Sequence, residues 1–186
     1  TGFFVVVGIY LWMMMERRMN RYTRIAGTAA FIWRLALTTG TGSIFGFLVA
    51  RQAYDAAIMA PMFIVMSFSF GLAIFLLLLM AISNGTGRPL GDAVMAKLRN
   101  LLGVFVAGVL YFVTVQHLTN LYATEHHGVE DFILASGGIY TALFWIGQIF
   151  IGGIAPLALL YHPATAKDRA MTGLAAAMII VGGLIQ

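Results

Sequence analysis

Cysteine is absent from the chain. That excludes iron–sulfur clusters, covalently attached haem and thiolate metal sites held by these residues. Charge is also scarce, at 10% of 186 residues, whereas hydrophobic types make up 61%. No water-soluble domain of this size needs so much apolar surface. The apolar segments are continuous rather than alternating over ten residues or so, which excludes a membrane β-barrel in favour of helices. Histidine is rare, with four copies, and only His117 lies clearly within an apolar segment. A haem held by two histidines on facing helices is therefore not expected, and no metal site is.

What the chain does contain is a series of long apolar runs, with a mean hydropathy of +0.92. Residues 56–82 carry no charge and exceed the ~20 residues that span a bilayer core. Six such segments are read, at about 2–15, 34–50, 56–82, 101–122, 138–160 and 171–186. The expected fold is an all-α polytopic transmembrane helix bundle forming one domain over residues 1–186. Because the sequence opens and closes inside apolar runs, it is expected to be a piece of a larger subunit of eight to ten helices. The first run has no basic leader or small-residue cleavage site, so it is not read as a signal peptide.

The loops alternate in sign. The first (Glu16, Arg17, Arg18, Arg21, Arg24), the third (Arg88, Asp92, Lys97, Arg99) and the fifth (Lys167, Asp168, Arg169) are basic. The second (Arg51, Asp55) is neutral, and the fourth (Glu125, His126, His127, Glu130, Asp131) is acidic. One crossing per segment puts the basic loops on one face, which the positive-inside rule assigns to the cytoplasm. The net charge of +4 thus reports topology and not nucleic-acid binding. Segment 2 has two readings. A helix from Ile25 to Ala50 would carry Arg34 well inside, where a charge is costly. A start at Arg34 gives a helix of roughly 24 Å preceded by an interfacial stretch; this second reading is preferred.

Gly42 and Gly46, and later Gly147, Gly152 and Gly153, predict close helix contacts. Pro61 and Pro156 predict bends or freed carbonyls. Gly85-Thr86-Gly87-Arg88-Pro89-Leu90-Gly91 follows a membrane helix and has the wrong spacing for a dinucleotide fingerprint, so it is a loop. The sequon Asn84-Gly85-Thr86 falls on the cytoplasmic side.

The polar residues concentrate at the end of segment 4: Tyr111, Thr114, Gln116, His117, Thr119, Asn120 and Tyr122. Thr114 and His117 share a helix face by spacing, as do Gln116 and Asn120. Polar groups within a span are costly and mark either a pathway or interhelical hydrogen bonds, and both readings stay open here. The loop that follows, with His126, His127, Glu130 and Asp131, could exchange protons, dock a partner or simply face solvent.

Several ordered stretches resemble the NrfD/PsrC family, the membrane subunits of polysulfide-reductase-like respiratory complexes. They are LALTTGTGSIFGFLVARQAYDAAIMAPMFIVMSFSFGLAIFLLLLM, YFVTVQHLTNLY and LFWIGQIFIGGIAPLALL. Thr38 and Gln116 depart from the pattern, since the family often has a histidine near the first and a carboxylate near the second. The matched part looks like the family's later helices, whereas its best-known quinone pocket lies mainly in the earlier ones. The resemblance implies a subunit in the prokaryotic cytoplasmic membrane that handles quinone or quinol (menaquinone or ubiquinone). It further implies electron exchange with an iron–sulfur subunit and a further catalytic subunit of the same complex, with proton transfer alongside. Candidates for the quinone or proton path are His117, Gln116, Asn120, Tyr122, Arg34, Glu130, Asp131, His126 and His127. Alternatives are a small-solute or ion transporter with His117 and Arg34 along its path, or a structural anchor.

Overall fold

The computed structural model describes residues 2–15, 20–47, 57–87, 91–122, 127–162, 165 and 168–185. Among them every regular element is helical. In chain order these are α1 (Gly2–Met15), α2 (Asn20–Gly46), α3 (Met59–Thr86) and α4 (Asp92–Tyr122). A short α5 (His127–Asp131) runs on as a π turn, Phe132–Ser136. Then come α6 (Ile139–Tyr161) and α7 (Arg169–Ile185). Helices α3, α4 and α6 are each long and apolar enough to cross a bilayer, and α7 is a shorter apolar helix. The all-α membrane bundle expected from composition is therefore the observed fold.

Helix α3 packs against α2, α4 and α7, while α6 joins the group through α4 and α7. Helix α1 lies on α2. A stacked ladder of Phe31, Phe68 and Phe105 links α2, α3 and α4, with centroids 6.0 and 5.3 Å apart. The core divides in two along the bundle. At one end Ala73, Leu76, Leu102, Leu160, Ala175 and Ile179 interlock and are at most 1% exposed. At the other end a smaller cluster joins Met59, Met62, Val113 and Phe144.

Three expectations are corrected. Helix α2 does not begin at Arg34; it runs unbroken for 27 residues through it. The hydroxyls of Thr28, Thr38, Thr39, Thr41 and Ser43 each donate to the carbonyl four residues back, at 2.8–3.0 Å. Such back-bonding satisfies these hydroxyls within the helix, and Arg34 itself lies on an exposed face of α2, so its charge does not end the helix. Pro61 does not bend α3, because it sits in the first turn, where its missing N–H has no helical partner to lose. Helix α4 starts at Asp92, nine residues before the apolar run, so Asp92, Lys97 and Arg99 are helical and not loop.

Pro156 does act, but by rewinding rather than by a kink. The stretch Leu143–Ile154 is a π-helix, and the Ala155 N–H donates to Phe150, five residues back. Pro156 has no N–H and its ring would crowd the carbonyl four residues earlier. A wider turn absorbs both problems. Glycines then bring α6 and α7 together: a Cβ at Gly182 would collide with the backbone of Gly152, and one at Gly147 with Ile185. The small-residue contacts expected at Gly147 and Gly152 are present. Gly42 likewise seats α2 on α3, where an added Cβ would fall 2.7 Å from the Cα of Ala60.

Candidate functional site

Helix α5 turns back toward the bundle after α4 and inserts Glu130, whose side chain is fully buried. A buried carboxylate needs partners. Two come from α4, three residues apart on one face. His117 Nδ1 lies 2.7 Å from Glu130 Oε2, and Asn120 Nδ2 donates to Glu130 Oε1 at 2.8 Å. Both carboxylate oxygens are thereby engaged. His117 also meets the ring of Phe144 from α6 edge-on, with centroids 4.7 Å apart.

The acidic segment is thus not simply a solvated loop, because its central carboxylate belongs to the core. Thr114 and His117 lie on one helix as expected but do not bond to each other. The Thr114 hydroxyl donates to Leu110 of its own helix, and the partner of His117 comes from α5.

His117 and Gln116 line a cavity of about 400 Å³. Its α3 wall is Met59, Met62, Phe63 and Met66, and its α6 wall includes Phe144 and Gln148. The lining is apolar and aromatic with four polar side chains, Gln116, His117, Tyr140 and Gln148. That is the usual constitution of a site for a small organic molecule. Methionine suits such a wall because its side chain adapts to irregular shapes.

The remaining candidates spread outward. Gln116 is buried on the cavity wall. Asp131 is exposed beside Glu130, and its carboxylate accepts from Ser136 at 3.1 Å. His127 is exposed, and its Nε2 lies 2.7 Å from the carbonyl of Leu121, donating to the end of α4. Tyr122 is 91% exposed and stands away from the cluster. Arg34 lines a separate groove between α2 and α3. His126 lies outside the described residues. Among the described residues no three His, Asp or Glu side chains gather as a metal site.

A bond between Nδ1 and Oε2 needs one proton between them. Glu130 as a carboxylate accepts from Asn120 and from His117 Nδ1–H. With Glu130 ionised, the proton sits on Nδ1 and Nε2 is left as an acceptor, the tautomer logic of a carboxylate–histidine pair.

The whole chain, residues 1–186, matches the family described as polysulphide reductase, NrfD. The chain belongs to this family. Among curated relatives, NrfD similarity extends to the Hdr-like menaquinol oxidoreductase integral membrane subunit of Archaeoglobus fulgidus, 29% identical over 90% of this chain and 42% of the relative. It extends to the C subunit of selenate reductase from Mesobacillus selenatarsenatis, 28% identical over 88% of this chain and 37% of the relative. A third is the C membrane subunit of a putative dimethyl sulfoxide reductase from Halobacterium salinarum, at 26% identity over 92% of this chain and 38% of the relative. The chain thus spans about two fifths of the length of these relatives. No solved structure matches it.

Several residues of the cavity escape a reading of the sequence. Gln148, Phe144 and the three methionines look like ordinary span residues there. The burial of Glu130 leaves one signal: Ile133 and Leu134 follow it at three and four residues, forming a helical apolar face that includes the carboxylate.

Proposed function

We propose that this NrfD-family chain serves as a membrane subunit of a quinone-linked respiratory oxidoreductase in a prokaryotic cytoplasmic membrane. The cavity beside His117 takes the ring of a quinol or quinone. One observation carries the reading: a fully buried Glu130 pins His117 at the wall of a methionine- and aromatic-lined cavity. The names of the relatives, one of them a menaquinol oxidoreductase subunit, support it.

Oxidation of a bound quinol supplies two electrons and two protons. With no cysteine in the chain, the electrons pass to an iron–sulfur partner subunit, itself joined to a further catalytic subunit. His117 takes one proton at a time. The quinol O–H bond breaks, an N–H bond forms at Nε2, and the imidazolium so made is balanced by the Glu130 carboxylate. His117 returns that Nε2 proton to water before accepting the second. Gln116 and Gln148 supply hydrogen bonds to the ring oxygens. The Met and Phe walls keep water from the ring and favour an apolar ligand.

Replacing His117 by leucine tests this. In the intact complex, quinol-driven turnover should fall by about 10²–10⁴-fold, the usual worth of a positioned base, with the same subunits still assembled. Unaltered turnover would remove the cavity from quinol handling. Solute uptake by the protein alone, without electron transfer, would favour a transporter.

A further inference from the structure

A small void of about 20 Å³ lies in the middle of the bundle, where α3, α4, α6 and α7 meet. Val106 and Ile179 of one core cluster and Val113 of the other line it, so it sits at the junction of the two. Gly152, Gly182 and Gly183 stand on its wall and put no side chain into it. Two lining side chains are polar: Ser69 from α3, and Gln148 from the π-wound part of α6.

Ser69 is 1% exposed, and a hydroxyl buried this deeply needs a partner. Elsewhere in the helices the partner is the carbonyl four residues back, as for Thr38, Thr114 and the equally buried Thr172. Ser69 makes no such bond, and neither its hydroxyl nor the Gln148 amide bonds to any other described residue. Both therefore offer their hydrogen bonds to the void. An apolar void of this size would stay dry, but one water needs only roughly 10–15 Å³ and about two to four polar partners. A hydroxyl and an amide, each able to donate and to accept, meet that demand.

We infer that Ser69 and Gln148 hold one buried water, and that through it Ser69 positions Gln148 at the wall of the His117 cavity. Gln148 lines both spaces. The π winding of α6 sets this up, because it carries Gln148 and Gly152, about one turn apart, to the same void. A glutamine has a flexible stem. A partner that fixes its inner face lowers the rotamer freedom lost when the outer face meets a ligand. The positioning role rests on the quinone reading and adds to it a residue that touches no substrate. The water itself does not depend on that reading.

The test uses the intact complex. A cryo-EM map fine enough to show other buried waters should hold a single density within hydrogen-bond distance of Ser69 Oγ and the Gln148 amide, and lose it in Ser69→Ala. A dry void in the wild-type map would overturn the inference. Steady-state oxidation of menaquinol tests the role. Ser69→Ala should raise KM about three- to tenfold, the worth of one net hydrogen bond, and leave kcat unchanged, the pattern of lost binding rather than lost chemistry. In a Gln148→Leu background the same change should have no further effect, since its route to the ring is gone. An equal effect in both backgrounds, or no change in KM, would overturn the positioning role. A wild-type complex that does not oxidise menaquinol would overturn the quinone reading and the positioning with it, while the density would still decide the water.

Discussion

The two ends of the bundle solve opposite problems with the same helices. At the end formed by the C-terminal halves of α3 and α6 and the N-terminal halves of α4 and α7, the interior is Leu, Ala, Val and Ile with a single methionine, Met95, and little exposure. At the far end the same helices leave a cavity, and their core narrows to Met59, Met62, Val113 and Phe144 around a buried carboxylate. In lipid, apolar packing gains little from leaving water, so the dry end holds by shape and small residues. The polar end is held by directional bonds among Glu130, His117 and Asn120. A fully satisfied buried network is rigid, and a partly satisfied one is costly. The contrast separates a part of the molecule that sets assembly from a part that can carry chemistry. Substitutions at the two ends should accordingly report on different quantities.

The largest effect should come from Glu130→Gln. The amide oxygen still accepts from Asn120, and its NH₂ now donates to His117 Nδ1. Packing and bond count are preserved, so the midpoint of thermal unfolding of the complex should move little. The tautomer, however, is reversed: Nδ1 becomes the acceptor and Nε2 carries the proton, so His117 can no longer take one from the cavity. Quinol-driven turnover should drop about 10³-fold, the scale of a lost base or a wrong tautomer. Turnover that falls only in step with unfolding would make the pair structural, like the opposite end.

How much of this contrast the sequence displays depends on which physics made it. The dry end is legible, because long uncharged runs and glycines at close spacing imply helices that touch. The polar cluster on α4 is legible too, since Gln116, His117 and Asn120 are conspicuous inside an apolar segment. Glu130 is not, because a carboxylate in an acidic stretch between spans is usually solvated, and only the fold brings it beneath His117. The π winding of α6 is half legible: Pro156 announces a disturbance, but a kink and a widened turn satisfy the same constraint. Arg34 misleads for the reverse reason. Its charge suggests a helix end, yet α2 carries it on an exposed face and continues to Gly46.

A smaller effect, and one confined to assembly, should follow Leu160→Ala at the dry end. Leu160 is fully buried among α4, α6 and α7. Truncation leaves a void costing about 2 kcal/mol, toward the low end for such changes because lipid is as apolar as leucine and chiefly packing is lost. Thermal unfolding in detergent should register it as a lower midpoint, while the KM for quinol in the folded fraction stays at the wild-type value. A raised KM would show that the two ends are mechanically coupled through α6.

The smallest effect should come from Asp92→Asn, at the rim of the dry end. Arg169 Nη2 donates to Asp92 Oδ1 at 2.8 Å, tying the start of α7 to the start of α4, but the Asp92 side chain is 94% exposed. Exposed pairs contribute about 0–1 kcal/mol, and the carboxylate adds a few tenths by sitting in the first turn of α4. The substitution should therefore lower the unfolding free energy by less than about 1 kcal/mol, with the difference fading as salt is added. Turnover should be unchanged. A loss as large as that of Leu160→Ala, insensitive to salt, would mean that a neighbouring protein of the complex shields this corner from water, since only burial gives such a pair that weight. The basic loops would then mark a docking face as well as the orientation of the chain.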